Sequence, residues 1–390
     1  MPPTALLLLL LGLARSAALQ IAITGSNSGI GASASKMLLE RGHSVIHACR
    51  TAEAAAEAVA LAGGGAPMVC DLADLQSVRR FAASLSAEAP ALDVLCLNAG
   101  VSPSRKAEVP ARTRDGFEET VGVNHIGHFL LASLLEPVLT RSEGTVVVTA
   151  SGVHDPDAPG GTVQARAAQS PASSPCPDPT PDPPGRPGDR SDVGRSLRAW
   201  GGGRWRRGDG GRCEDRTSSP SLPLASRLHP HTSEFRLPCE GATAYCGAKA
   251  YHDSKLCNVL FAAEAARRWG GGGVAVRAFN PGLITSTGLF RAARRDNFLS
   301  AALFSFVATS VARFSQPVEV GGARLAYLAT APEEEVPPGS YLSAPAATSA
   351  AATVADGFGP AAVSREAQDK ELAARLWERS SAVVGLGVGV

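Results

Sequence analysis

The chain has 390 residues, a formal net charge of +1 and 19% charged residues. That balance excludes a nucleic-acid partner recognised through bulk positive charge. The eight cysteines, at 49, 70, 96, 176, 213, 239, 246 and 257, form no C-x-x-C pair and mostly sit in apolar runs. They are expected to be reduced thiols, with no zinc site.

Residues 5–14 are an apolar run followed by Arg15 and the small residues Ser16-Ala17-Ala18. This is the pattern of a secretory signal with its cleavage site, too short to span a bilayer comfortably. A noncleaved anchor is the other reading, and the fold proper is expected from Leu19. Leu19–Ile23 is a strand that runs into Thr24-Gly25-Ser26-Asn27-Ser28-Gly29-Ile30-Gly31 and then a helix over Ala32–Arg41. Strand, glycine turn and helix in that order suit a dinucleotide pyrophosphate: bare backbone approaches it, and a helix N-terminus points N–H groups at it.

Ser44–Cys49 is the second strand and ends at Arg50, with Glu53 the nearest acid. An acid at that point would meet a ribose 2′-hydroxyl, whereas an arginine suits a 2′-phosphate, so NADPH is the expected cofactor. Pro67–Cys70 is a short strand closing on Asp71-Leu72, where a carboxylate can meet the adenine edge. A helix over Leu75–Leu85 precedes the strand Leu92–Leu97, which leads to the loop Asn98-Ala99-Gly100. A long helix over Asp115–Leu139 carries Asn124, and a strand over Thr145–Thr149 leads to Ser151. Strands alternating with helices predict an α/β fold: a single Rossmann-type domain whose doubly wound parallel sheet is covered on both faces.

Residues 155–240 break the pattern, holding half of the chain's 28 prolines among Gly, Ser, Asp and Arg runs. With no period of 2.0 or 3.6 to bury, the stretch is expected to be disordered. It is either a genuine flexible insertion or non-coding sequence carried into a gene model, and no chemistry is assigned to it. The domain is therefore read as a leader (1–18), an NADP-binding part (19–154), an insert (155–240) and a catalytic and substrate-binding part (241–390).

Beyond the insert, Tyr251 and Lys255 are spaced to share one face of a helix that keeps its apolar stripe to Arg267-Arg268. Tyrosine titrates near 10, and an ammonium one turn away lowers that value toward working pH, giving a proton donor. Tyr245 and Lys249 repeat the spacing at the helix entrance, where Gly247 is a poor helix former. The second pair is chosen. A strand over Val274–Phe279 leads to Asn280-Pro281-Gly282, and Thr285–Arg291 opens a segment continuing through the apolar run Phe298–Val311, read as core, a ligand-site lining or a membrane-facing flap. Helices over Gln316–Ala329 and Ser364–Val383 follow.

Taken together, Thr24-Gly25-x-x-x-Gly29-Ile30-Gly31, Asn98-Ala99-Gly100, Asn124, Ser151, Tyr251-x-x-x-Lys255 and Pro281-Gly282 resemble the short-chain dehydrogenase/reductase family. The resemblance implies Tyr251 as proton donor or acceptor, with Lys255 holding the nicotinamide ribose and lowering the tyrosine pKa. It further implies Ser151 as the residue that positions substrate and Asn124 as the one that orders a water in the proton relay. Two branches are open. Residues 247–258, Thr287–Arg291 and the region around Leu376-Trp377-Glu378 resemble the light-dependent protochlorophyllide reductases. That branch implies a light-driven reduction of a tetrapyrrole in a plastid, reached here through an ER-type signal, with Cys257 and Thr287 on the substrate side. Residues 115–118, 123–129 and 254–256 are shared with retinol-dehydrogenase-like enzymes, which implies a lipophilic carbonyl substrate in an ER or other secretory-pathway membrane. A non-catalytic nucleotide-binding scaffold is disfavoured, since the Asn–Ser–Tyr–Lys set is complete. Peripheral membrane contact and a homo-oligomer remain open expectations.

Overall fold

Short strands that are apolar on both sides need helices over both faces, and that requirement organises the molecule. The computed structural model describes residues 18–88, 91–104, 107, 109–154, 237, 245, 247–290, 295, 296, 302, 305, 315–344 and 357–387. The leader lies outside them apart from residue 18, as do the Pro-rich segment apart from residue 237 and the 298–311 run apart from residues 302 and 305.

In chain order the elements begin β1 (Gln20–Thr24), α1 (Gly29–Glu40), β2 (Ser44–Cys49), α2 (Ala52–Ala62), β3 (Ala66–Val69), α3 (Leu75–Glu88) and β4 (Val94–Leu97). An α-turn at Glu119–Val121 and a π-helix at Gly122–Gly127 lead into α4 (His128–Arg141), then β5 (Thr145–Thr149). α5 (Gly247–Trp269), β6 (Ala275–Phe279), α6 (Val318–Thr330), β7 (Tyr341–Ser343), β8 (Gly359–Pro360) and α7 (Lys370–Val383) follow, with short 3-10 turns between them. The sheet order is β3-β2-β1-β4-β5-β6-β7-β8, parallel from β3 to β7 with β8 antiparallel at the edge. The sequence of crossovers reverses between β1 and β4, so both the β1 and the β4 turns open at the carboxyl edge where that reversal leaves a crevice.

Alternation along each strand divides the core into two layers. Ile21 and Ile23 of β1 and Val147 of β5 face α1 and α6, packing with Ala34, Leu38, Leu325 and Leu328. Ala22, Val146 and Val148 face the other layer, built from α3, α4, α5 and α7. Aromatic rings tie that second layer together. Trp377 of α7 lies 5.0 Å from Phe129 and 5.3 Å from Trp269, centroid to centroid, and Arg268 stacks over it at 4.9 Å.

Several features depart from the sequence reading, among them the last helix, expected from Ser364 but beginning at Lys370 after its N-cap Asp369. α2 was not expected; its buried stripe is alanine (Ala55, Ala58, Ala62), too weak a hydrophobic signal to stand out. Its ends are nonetheless capped, by Thr51 accepting from the Ala54 N–H and by Gly63 at φ 81°. β7 and β8 are too short to show a period. The helix expected over Asp115–Leu139 starts only at Glu119, because Thr113 N–H donates to the Phe117 carbonyl around Gly116 at φ 88°. Its first full turn is then π-helical, a local widening that recurs at functional sites.

α6 crosses α1 at backbone distance. A Cβ added at Gly322 would lie 2.5 Å from the Ser33 Cβ and 3.0 Å from the Ala34 nitrogen. Gly322→Ala should therefore push the two helices apart and lower stability by about 1–3 kcal/mol, read as a lower urea midpoint. At Gly270 a Cβ meets nothing within 4 Å, so Gly270→Ala should stay within about 0.5 kcal/mol of the parent. Equal midpoints for the two variants would show that the α1–α6 contact is not tight.

Candidate active site

The β1–α1 turn is built from backbone. Gly25 adopts φ +66°, its N–H donates to the Ala48 carbonyl at 2.9 Å, and a Cβ there would touch Ala99 at 3.0 Å. A Cβ on Gly31 would sit 2.6 Å from the Gly25 carbonyl oxygen. Ser28 stands at the N-cap of α1 without a side-chain cap bond, and no acid lies in the first turn. The first N–H groups of α1 thus face the turn with no side-chain cap. Ser26 is buried, its hydroxyl 3.0 Å from His47 Nδ1 and 3.5 Å from Cys49 Sγ. Asn27 and Ile30 are half-buried along the turn.

The neighbouring strand ends converge on this turn. Arg50 is exposed just beyond β2, two residues past the carbonyl that holds Gly25. Asp71 follows β3, its carboxylate accepting from the Ala73 N–H at 3.0 Å, and Leu72 is buried beneath Gly127 of the π-helix. After β4, Asn98 donates from its side chain to the Thr24 carbonyl at 2.9 Å, and the Asn98 and Ala99 N–H groups both donate to the Thr24 hydroxyl. A Cβ on Gly100 would come within 3.7 Å of Lys255 Nζ, so this loop lies directly over the lysine.

Asn124 binds three elements. Its side chain accepts from Val101 N–H at 2.8 Å and donates to the Val101 carbonyl and to Ser254 Oγ, both at 3.0 Å. Ser254 in turn donates to the Tyr251 carbonyl at 2.7 Å. On the same face of α5, Lys255 Nζ donates to the Thr149 carbonyl at 3.1 Å, and Asn258 donates to that carbonyl at 3.3 Å. The Ser151 side chain stands beside the Tyr251 hydroxyl and favours its charged form, and the Lys255 ammonium lies 5.7 Å from the tyrosine ring centroid. The structure therefore brings Asn124, Ser151, Tyr251 and Lys255 to one place at the end of β5. Ser254 and Asn258 belong to this network and were not singled out from the sequence, although positions 251, 255 and 258 share a helical face.

The electrostatics correct one expectation. Burial is the largest influence on Tyr251 and pushes its hydroxyl pKa up, with the neighbouring Ser151 side chain pulling it down. The same dehydration lowers Lys255 to about 8, so the ammonium that was to depress the tyrosine is itself disfavoured. Two placements also differ from expectation. Thr287 packs its methyl against the glycine turn, 3.3 Å from where a Gly29 Cβ would stand, and its hydroxyl donates to the Ile284 carbonyl. Thr287 thus lies against the glycine turn. Cys257 is wholly buried in the apolar layer with Leu256, Leu260 and Phe261. Tyr245 lies elsewhere, donating to Glu118 Oε1 at 2.9 Å. Past β6, Gly282 takes φ +90° with its N–H donating to Asn280 Oδ1, while the Pro281 carbonyl accepts from the buried Arg324 at 2.8 Å.

The pattern of the short chain dehydrogenase family matches residues 20–163. Protochlorophyllide reductase A, chloroplastic, of Oryza sativa subsp. japonica is 31% identical over 375 residues, covering 94% of this chain and 80% of that protein. The chain belongs to the short-chain dehydrogenase/reductase family. Retinol dehydrogenase 14 of Mus musculus is 30% identical over 387 residues, covering 94% of this chain and 86% of its own. The solved Pseudomonas aeruginosa RhlG/NADP active-site complex shares the fold at a TM-score of 0.51 and 20% identity, covering 85% of this chain and 97% of that one. The family is one of NAD(P)-dependent oxidoreductases. The residues fit such a cofactor: a turn where no Cβ can stand and a helix start without a side-chain cap are what a pyrophosphate requires.

Two histidines near the site are held neutral. Burial is the main cause that lowers His125 to about 3 and His128 to about 4, from 6.5. In the unfolded chain both titrate near 6.5. Between that value and their folded values the unfolded state binds more protons, so stability falls as pH drops from 6.5 toward 4. His125→Gln, which keeps a polar atom for Ser380 Oγ, should flatten the fall in unfolding free energy between pH 6.5 and 4.5. An unchanged slope in urea titrations would mean that His125 is not buried neutral.

Proposed function

We propose that the chain is an NADPH-dependent reductase of protochlorophyllide, acting in light and housed in a plastid. The carrying observation is the buried Lys255, bound to the Thr149 carbonyl and 5.7 Å from the Tyr251 ring, with Asn124 tied through Ser254 to the same turn of helix. Support for the substrate comes from the length and identity of the match to a chloroplastic protochlorophyllide reductase.

NADPH would supply the hydride when bound. Thr24 through Gly31 would hold the pyrophosphate, Arg50 the 2′-phosphate, and Asp71 and Leu72 the adenine edge. Asn98, Ala99, Gly100, Pro281 and Gly282 would border the nicotinamide half. Ser151 orients the acceptor group and the Tyr251 hydroxyl toward one another. Tyr251 gives its proton to the atom that becomes electron-rich. Burial keeps that hydroxyl protonated until substrate needs it, since the phenolate is disfavoured there. Lys255, held by the Thr149 carbonyl, stands ready to return the proton; a value of about 8 lets it exchange near neutral pH. The side chain of Asn124 has both Val101 groups and Ser254 as partners, so a relay water would be held through the Asn124 carbonyl.

A second reading, reduction of retinal or another lipophilic carbonyl in the dark, is favoured by the 30% identity to retinol dehydrogenase 14. Anaerobic mixtures with NADPH separate the two by absorption spectroscopy. Protochlorophyllide should be unchanged in the dark and converted on illumination. Robust reduction of retinal in darkness, with no light-dependent change in added protochlorophyllide, would select the second reading.

Under either substrate Tyr251→Phe should lower turnover by roughly 100-fold or more while leaving NADPH affinity near the parent value. Tyr245→Phe removes the hydrogen bond to Glu118, away from Tyr251 and Lys255, and should keep turnover. The reverse pattern would put the proton donor at Tyr245. NADPH should bind about tenfold to a hundredfold more tightly than NADH, the worth of one charge-assisted hydrogen bond. Arg50→Ala should erase most of that preference, and equal affinities in the unmutated chain would exclude a role for Arg50.

A further inference from the structure

His128 opens α4 and is buried, with one ring nitrogen on each of two different parts of the site. Nδ1 lies 3.1 Å from the Asn124 carbonyl oxygen, and Nε2 lies 2.9 Å from Thr24 Oγ1. A carbonyl oxygen can only accept, so Nδ1 carries the proton and Nε2 is the bare acceptor. The Thr24 hydroxyl must then donate to Nε2. Its two lone pairs are already directed at the Asn98 and Ala99 N–H groups, at 2.9 Å and 3.0 Å. The Cys96 carbonyl, at 3.3 Å, is the longer and competing acceptor for that one proton. If Thr24 turned its proton to Cys96, two lone pairs would face each other at 2.9 Å.

This arrangement forms one unbroken chain of donors: the β4 loop to Thr24, Thr24 to His128, and His128 to the carbonyl of Asn124 in the π-helix. We propose that His128 is a positioning residue that fixes the Asn124 carbonyl and the β1–α1 turn as a single unit. It joins the half of the site that would hold the cofactor to the half that would move the proton. The inference rests on the proposed roles of Asn124 and of the glycine turn.

Two conservative substitutions divide the two hydrogen bonds. An Asn amide reaches where Nδ1 stands, and a Gln amide reaches where Nε2 stands. His128→Asn keeps a donor for the Asn124 carbonyl and loses the acceptor for Thr24. NADPH affinity should fall about fivefold to tenfold, with kcat at saturating NADPH within about twofold of the parent. His128→Gln keeps an acceptor for Thr24 and loses the donor to Asn124. Its kcat should fall about fivefold to tenfold while NADPH affinity stays within about twofold. The measurements are NADPH fluorescence titrations of the full chain and turnover with whichever substrate the parent reduces, protochlorophyllide in light or retinal in the dark. Tyr251→Phe is assayed alongside. A crossed pattern supports the proposal. Parallel losses in both parameters, or no loss in either variant, would overturn it, since a residue that merely fills space has no reason to separate affinity from turnover. If Tyr251→Phe keeps turnover, the reading of the proton donor fails instead, and the NADPH affinities of the two His128 variants still decide whether the Thr24 link exists.

Discussion

The amide of Asn124 is the point on which the carboxyl edge depends. Its oxygen and nitrogen meet the N–H and carbonyl of Val101 as a second strand would, and its remaining hydrogen meets Ser254. The loop after β4, the π-helix and α5 are thereby held to one another by a single buried side chain. A buried polar group left half-satisfied is costly, so the amide either has all three partners or none of the three elements is where it should be. The π-helix makes this possible by widening the helix where Asn124 must turn toward the sheet. Gly127 lets the widened turn sit against Leu72, since a Cβ there would lie 2.6 Å from the Leu72 carbonyl oxygen.

Much of the fold was readable because its signals are local. The strand, glycine turn and helix at 19–41 follow one another in the chain, and the apolar runs of β4, β5 and β6 are bounded by Asp, Gly and Asn residues. What could not be read depends on partners distant in sequence. The π-helix leaves no periodic trace, because Gly122–Gly127 is buried on every side. α2 hides in alanine, and β7 is a strand only because β6 offers it an edge, as β7 then does for β8. At the candidate site, four-residue spacing placed Tyr251 and Lys255 on one face but said nothing of how dry that face is. Dehydration reverses the expected direction of the tyrosine shift. Thr287 was assigned by the pattern around it, yet the turn after β6 folds back over Gly29, a contact between positions more than 250 residues apart that no local rule foresees.

The residues that carry cofactor and proton chemistry are common to enzymes of very different substrates, and this explains why the site alone does not choose between a tetrapyrrole and a retinoid. In the proposed reading Thr24, Asn98, Ser151, Tyr251 and Lys255 would act on a hydride, a proton and a nucleotide, none of which differs between the two. Discrimination belongs to whatever surrounds the acceptor group, and size, planarity and the ability to absorb light are properties of the substrate that such surroundings admit or refuse.

The aromatic layer beneath α5 has a consequence for how the molecule is made. Trp377 on α7 stacks with Phe261 and closes edge-on against Phe129 and Trp269, covering the side of α5 opposite the sheet. During synthesis β1 to β5 and the glycine turn emerge first and can begin to assemble, but α5 emerges with its apolar side bare. That side stays uncovered until residues 370–383 have left the ribosome. Over that interval the nascent chain displays an uncovered aromatic surface, and α5 gains this packing only once α7 has emerged.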